Sequence, residues 1–303
     1  MKFSLWTSNG HSWADLLDLA TYADGAGWHS LWYADHYMSQ TPDDTPGDGP
    51  VLECWSVLAA LASQVPRIRL TSMVSPVTIH HPVVLAKRAA TVDQISGGRV
   101  VLGLGAGWQV NEHAAFGIEL PPPGERVTHF IEAIQVIRHL LDDQRAEFHG
   151  RWYNLTDAPF EPKPVQSPMP LLVGTSGERM MRTTARYANE WNTWGAPSLV
   201  TSQTEKFRVA CDTVGTEFDS IRRSAQALVF LTDSDSARDK VSASAPSDRS
   251  LVGNTSELID LIGGYVDLGI DELALPDFTL GNDGAKRRET IERFWTEVAA
   301  AFQ

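Results

Sequence analysis

Three places in the chain carry residue types that could do chemistry. The first is Asp35-His36, at the end of the stretch HSLWYADHY. Histidine titrates near neutral pH and can pass a proton, so at a strand end it is a candidate acid–base group. Packed under a loop and bonded to Asp35, the same histidine would be structural. The second is GGRVVLGLGAGW, residues 97–108. Gly103, Gly105 and Gly107 remove the side chains from the end of an apolar run. A planar ring or a phosphate chain could lie against such a backbone, or the strand could simply pack tightly there. The third is GTSGER, residues 174–179, read as the start of a helix. Free N–H groups, the helix dipole and Arg179 favour an anion at that point.

Other combinations carry less. The glycines are not a dinucleotide fingerprint, because Trp108 stands where the third glycine of Gly-x-Gly-x-x-Gly is needed. His80-His81 looks like a metal pair, but no carboxylate lies at ligand spacing, so no metal is expected. Glu53 and Glu112 are the only tempting pair for a glycosidase, and Glu112 reads better as the anchor of a neighbouring loop. Trp108 and Trp194 are candidate walls of a substrate pocket. With Trp6 and Trp13 they point to an apolar or planar substrate.

The elements that would position these residues alternate along the chain. Strands are expected at 3–8, within 29–36, and at 68–74, 100–104, 171–173, 191–194, 225–231 and 272–275. Helices are expected between them. Ser12 caps the first, with Asp15 as capping-box partner and Trp13, Leu16, Leu17, Ala20 and Ala23 on its buried face. Further helices are read over 53–63, 82–95, 126–141, from 178 to about 187, over 198–214 and 255–268, and in a last segment ending near Phe302. Phe130, Ile134, Ile137 and Leu141 share the inward face of the fourth. Three stretches break the alternation: a polar loop around 37–52, a segment at 143–169 with a small hairpin in FHGRWYNL, and a polar, mobile insertion at 232–250. Eight strands alternating with helices in 303 residues predict an α/β fold, a single (β/α)₈ TIM barrel with insertions. In a barrel the loops after the strands carry function. Asp35-His36, Ser75, Gly105 to Asn111 and Thr175 to Arg179 then converge on one mouth.

Composition narrows the partners. A net charge of −13 disfavours nucleic acid and anionic membrane surfaces. Cys54 and Cys211 make neither a disulfide framework nor a zinc site. No signal peptide and no bilayer-length apolar run is read, so the expectation is a cytoplasmic enzyme acting on a small-molecule substrate.

LWYADHY, LTSMVSPVTIHHPVVLAK, SGGRVVLGLGAGWQVNEHAAFG and LLVGTSGERMMRTTARYANEWN, in that order, resemble the bacterial luciferase-like family of flavin- and deazaflavin-dependent oxidoreductases. The likeness covers almost the whole chain, and the family fold is the same barrel. Asp-His after the second strand and Gly-x-Gly-x-Gly-Trp after the fourth resemble most the branch that uses coenzyme F420, a 5-deazaflavin; FMN is the alternative cofactor, in a monooxygenase using reduced flavin and oxygen. The resemblance implies hydride transfer between the deazaflavin C5 and a small organic substrate. It places His36 beside the reacting carbon and Asp35 against the ring. Ser72-Met73 matches the site of a non-prolyl cis peptide that presses a bulge on the ring. Ser75, Ala106, Gly107 and Asn111 would line the ring and polyol, and Ser176, Gly177, Arg179 and Met180 would hold the phosphate. Family members are often dimers, which makes a homodimer an expectation. One departure stands out. The family's sugar-phosphate dehydrogenases carry a proton-accepting glutamate after the third glycine, where this chain has Trp108.

Overall fold

The computed structural model describes residues 1–281 and 283–303. Its core is a closed barrel of eight parallel strands: β1 (Lys2–Thr7), β2 (Ser30–Tyr33), β3 (Arg69–Ser72), β4 (Val100–Gly105), β5 (Leu171–Gly174), β6 (Glu190–Trp194), β7 (Arg222–Gln226) and β8 (Glu272–Pro276). Each strand pairs with the next, and β8 closes on β1 with Lys2 opposite Glu272. β4 is buried throughout, as expected of a strand packed on both sides in a parallel barrel.

The helices are α1 (Trp13–Ala26), α2 (Cys54–Gln64), α3 (Pro82–Ser96), α4 (Val110–Phe116), α5 (Pro123–Asp142), α6 (Glu178–Tyr187), α7 (Pro197–Val214), α8 (Asp235–Ser242), α9 (Thr255–Asp267) and α10 (Gly284–Arg293). Local chemistry sets their ends. The Ser12 hydroxyl caps α1 by accepting from the Asp15 amide, and Gly27 ends it at φ 91°, a conformation that glycine adopts freely. Pro82 opens α3 behind the cap His81, where the missing N–H is harmless. The apolar helix faces meet the outer faces of the strands in one large core. The opposite strand faces fill the barrel with Trp32, Met73, Val101, Leu172 and Ala274.

Several expectations need correction. The Asp15 carboxylate takes the Ser12 hydroxyl, so the cap is not the reciprocal box. Trp13 is 37% exposed while Leu19 is buried, which turns the inward face of α1. The apolar run 225–231 spans two strands: β7 ends at Gln226, and Leu228–Leu231 leaves the barrel to pair with Ser250–Gly253. The stretch 232–250 holds α8 and the start of that second strand. α4 has no counterpart among the expected helices; seven residues are too few for a clear period. The hairpin at 145–159 is present as two antiparallel strands. No helix of the described residues is long and apolar enough to cross a membrane.

Candidate active site

The carboxyl ends of β2 to β5 surround a cleft of about 230 Å³. It is lined by His36, Val74, Pro76, the backbone from Gly105 to Trp108, Glu112, Gly174, Thr175 and Met180. Four strand ends with α4 and α6 thus bring together residues up to 144 positions apart, from His36 to Met180.

His36 sits just beyond β2 and is held from α4. Its Nδ1 lies 2.9 Å from Glu112 Oε1, and the Tyr37 amide donates to Glu112 Oε2 at 2.9 Å. Glu112 is 1% exposed, so its carboxylate is a fixed acceptor. A carboxylate at Nδ1 keeps the proton on that nitrogen and leaves Nε2 to exchange protons. The Trp108 ring meets the His36 ring edge-on, centroids 5.5 Å apart. Trp108 is 52% exposed and the His36 side chain 19%, so the indole flanks the histidine and leaves part of it open to solvent.

Asp35 lies behind this pair. One oxygen, Oδ2, accepts from Ser75 Oγ at 2.5 Å and stands 2.8 Å from His80 Nε2. Trp55 Nε1 donates to Ser75 Oγ at 3.1 Å. The other oxygen, Oδ1, is buried without a donor. A buried carboxylate oxygen in that state calls for a partner. His80 therefore answers to Asp35 rather than to a metal, while His81 caps α3 by accepting from the Val83 amide. The two neighbouring histidines thus have separate hydrogen-bond partners.

The glycines have a packing reason. A Cβ on Gly103 would sit 1.9 Å from the Ser72 carbonyl oxygen, and one on Gly105 would sit 2.6 Å from a Val74 methyl. The two glycines leave room for the segment after β3, which bulges across β4. Gly107 has φ 88°, with Thr78 Oγ1 2.3 Å from where its Cβ would be. The non-prolyl cis bond falls at Met73–Val74, one residue later than expected, and Val74 itself lines the cleft. Ser72 is not at the surface: its hydroxyl accepts from the Gly103 amide and donates to the Gly103 carbonyl, stitching β3 to β4. Met73 belongs to the barrel filling.

Asn111 is spent on the loop. Both its amide hydrogens reach carbonyls, of Ser39 and Thr45, at 3.0 Å, and its oxygen accepts from the Glu112 amide. With Gln109 donating to the Met38 carbonyl, it pins the polar loop that follows His36. Asn111, expected to line the ring and polyol, anchors that loop in this structure.

At the far rim, Gly177 precedes α6, and no side chain caps that helix. Its first amides face outward unpaired, as at any helix start. Ser176 and Gly177 are exposed. Arg179 donates to the Gly124 carbonyl and to Thr128 Oγ1, so it bridges the starts of α5 and α6. Met180 lines the cleft. Trp194 lies across the mouth at the end of β6, edge-on to Trp6 with centroids 5.4 Å apart.

The expected residues thus divide. His36, Ala106, Gly107, Trp108 and Met180 line the cleft; Ser176 and Gly177 are exposed between its lining residues Thr175 and Met180. Arg179 turns to the start of α5 and lines a separate groove with Ile131 and Gln135. Asp35 and Ser75 back the cleft; Ser72, Met73 and Asn111 build it. Glu112 anchors the segment after β2 through the Tyr37 amide, in line with the expectation of a loop anchor, and its pairing with His36 across 76 positions is the part that the sequence did not show.

Comparison with known proteins agrees with this architecture. The F420-dependent glucose-6-phosphate dehydrogenase of Amycolatopsis mediterranei is 34% identical over 164 residues, 54% of this chain and 48% of that protein. The chain spans about half the length of the curated relatives it matches first. Among solved structures, the coenzyme F420-dependent tetrahydromethanopterin reductase of Methanopyrus kandleri superposes with a TM-score of 0.82 at 18% identity, covering 100% of this chain and 99% of that one. The monooxygenase RslO1 of Streptomyces bottropensis gives 0.83 at 21% identity, with both chains fully covered. These two likenesses establish the barrel fold. The pattern that defines the luciferase-like monooxygenases matches residues 1–252, and the chain belongs to that family.

Proposed function

We propose that this protein is a coenzyme F420-dependent oxidoreductase, with residues 1–303 forming one barrel domain that works in the cytoplasm on a small-molecule substrate. The observation that carries the reading is the cleft. It has an apolar floor, a backbone wall at Gly105–Trp108, a histidine at one edge, and an uncapped helix start at the other. A flat ring with a phosphate-bearing tail fits those features in that order. The Asp35 oxygen without a donor marks a place where a ring N–H or O–H would be welcome. The relatives described as F420-dependent support the choice of deazaflavin.

When bound, the deazaflavin would supply a ring carbon that takes or gives a hydride. The chain's residues do the rest. Val74, Pro76 and Gly105–Trp108 would hold the ring. The amides at the start of α6, with Ser176, Gly177 and Arg179, would hold the phosphate. His36 Nε2, whose partner nitrogen is fixed by Glu112, would pass the substrate proton. Trp108 would wall that histidine on one side. Glucose 6-phosphate is not carried over as the substrate, because Trp108 replaces the glutamate expected of the sugar-phosphate enzymes.

Fluorescence titration of the purified protein with oxidised F420 and with FMN tests the reading. Tight F420 binding with weaker FMN binding is the expected result. Tight FMN binding with weak F420 binding would replace it with a flavin monooxygenase, checked next by oxygen uptake.

A further inference from the structure

The cleft described above occupies only the β2–β5 half of the barrel mouth. The other half is a wall of Trp6, Trp194, Phe278 and Gln226. Trp6 packs edge-on against both Trp194 and Phe278, with centroids 5.4 and 5.8 Å away. Phe278 is half exposed, so the wall opens to solvent. Gln226 ends β7, in register with Trp194 on one side and Ala274 on the other. Ala274 is part of the barrel filling, so Gln226 shares the inner face. The wall is held in place: Asp277, next to Phe278, accepts from the Ser8 amide at 3.0 Å and pairs with His11 Nε2 at 2.6 Å.

Gln226 is out of keeping with this wall. It is 3% exposed, and its side-chain oxygen has no donor. Its own backbone carbonyl is satisfied by the Gly195 amide at 3.0 Å, so the gap belongs to the side chain alone. A leucine or methionine would fill the space without leaving an unmet acceptor. None of the four side chains is charged, so an ionic group would find no counter-charge among them.

We propose that Gln226 is a specificity-determining residue that accepts a hydrogen bond from a hydroxyl of a neutral, largely apolar substrate whose body rests on Trp6, Trp194 and Phe278. The inference rests on the deazaflavin reading, which assigns the opposite half of the mouth to the coenzyme. It goes further by naming the substrate's chemical class and the atom that recognises it.

The test uses the F420-loaded protein and two matched probes, cyclohexanol and its methyl ether, titrated by tryptophan fluorescence or calorimetry. The alcohol should bind about 10-fold or more tighter than the ether, because only the alcohol satisfies the amide oxygen. Gln226→Met should bring the two probes to equal affinity and leave the F420 dissociation constant unchanged. Equal affinity on the wild type, absence of alcohol binding at millimolar concentration, or a preference that survives Gln226→Met would each overturn the proposal. Failure of the wild type to bind F420, read in the separate coenzyme titration, would instead overturn the reading on which it rests.

Discussion

The two ends of the barrel are made by the same eight strands and use polar groups in opposite ways. At the amino end, charges are buried against one another. Glu272, 1% exposed, accepts from the Ser4 hydroxyl, from Trp32 Nε1 at 3.1 Å and from Arg222 Nη2 at 2.9 Å. Arg69 pairs with Glu190 at 2.7 Å. His29 Nε2 receives both Arg222 and Arg69, at 2.8 and 3.2 Å, so it is neutral. Burial, helped by the two guanidiniums, pushes its pKa down to about 3. One donor, Arg222 Nε, is left over there. At the carboxyl end the unmet groups include two acceptors, Asp35 Oδ1 and Gln226 Oε1, and one donor, Arg126 Nε, whose Nη1 holds the Gly107 carbonyl. The closed end pairs its charges with one another and holds the barrel together. The open end leaves its needs for a ligand to meet.

That contrast predicts which end fails in which way. Glu272→Ala should cause the largest loss of stability, about 3 kcal/mol, because it takes away the buried acceptor shared by Ser4, Trp32 and the partly buried Arg222; urea unfolding would read it, and an unchanged midpoint would deny the closed end its structural role. His36→Ala should leave that midpoint in place and lower turnover by ~10²-fold or more, with F420 binding retained. Glu112→Gln should give a smaller fall in kcat, about 10-fold, together with a shifted pH profile; a simple stability loss with an unmoved profile would make Glu112 a loop anchor alone. The His29 contribution has a sign that can be checked. Its folded pKa is depressed, so the unfolded chain binds the extra proton, and stability falls as pH drops from about 6.5 toward 3. His29→Gln should flatten that part of the stability curve. The smallest effect expected is for Arg179→Ala, a several-fold weaker F420 affinity, since the amides of α6 share the phosphate. No change in that affinity would remove Arg179 from the site.

Much of the open end could be read from the sequence because its signals are local. Asp35-His36 follows an apolar strand, the glycines follow another, and a Gly-Thr-Ser-Gly turn starts a helix. The eight-strand alternation was legible for the same reason. The strand at 225–231 was misread because Ala227 continues an apolar run across the point where the chain leaves the barrel. The closed end was not legible at all. Arg69, Glu190, Arg222 and Glu272 lie on four strands, and only closure brings them together. The pairing of His36 with Glu112 is distant in the same sense. Ser72 and Asn111 show the converse limit. Their place near the mouth was legible, but whether their hydrogen bonds were already taken depends on neighbours from other elements.

The fit of Val74 between Gly103 and Gly105 has a consequence for redesign. Each glycine is hollow because the segment after β3 occupies the space, so the cleft floor behaves as two interlocking parts. Enlarging one requires trimming the other. Gly105→Ala alone would drive the Val74 methyl into the cleft and narrow it, whereas Gly105→Ala combined with Val74→Ala would exchange the bulk across the seam. The depth of the pocket can therefore be tuned as a coupled pair, without touching His36 or the rim.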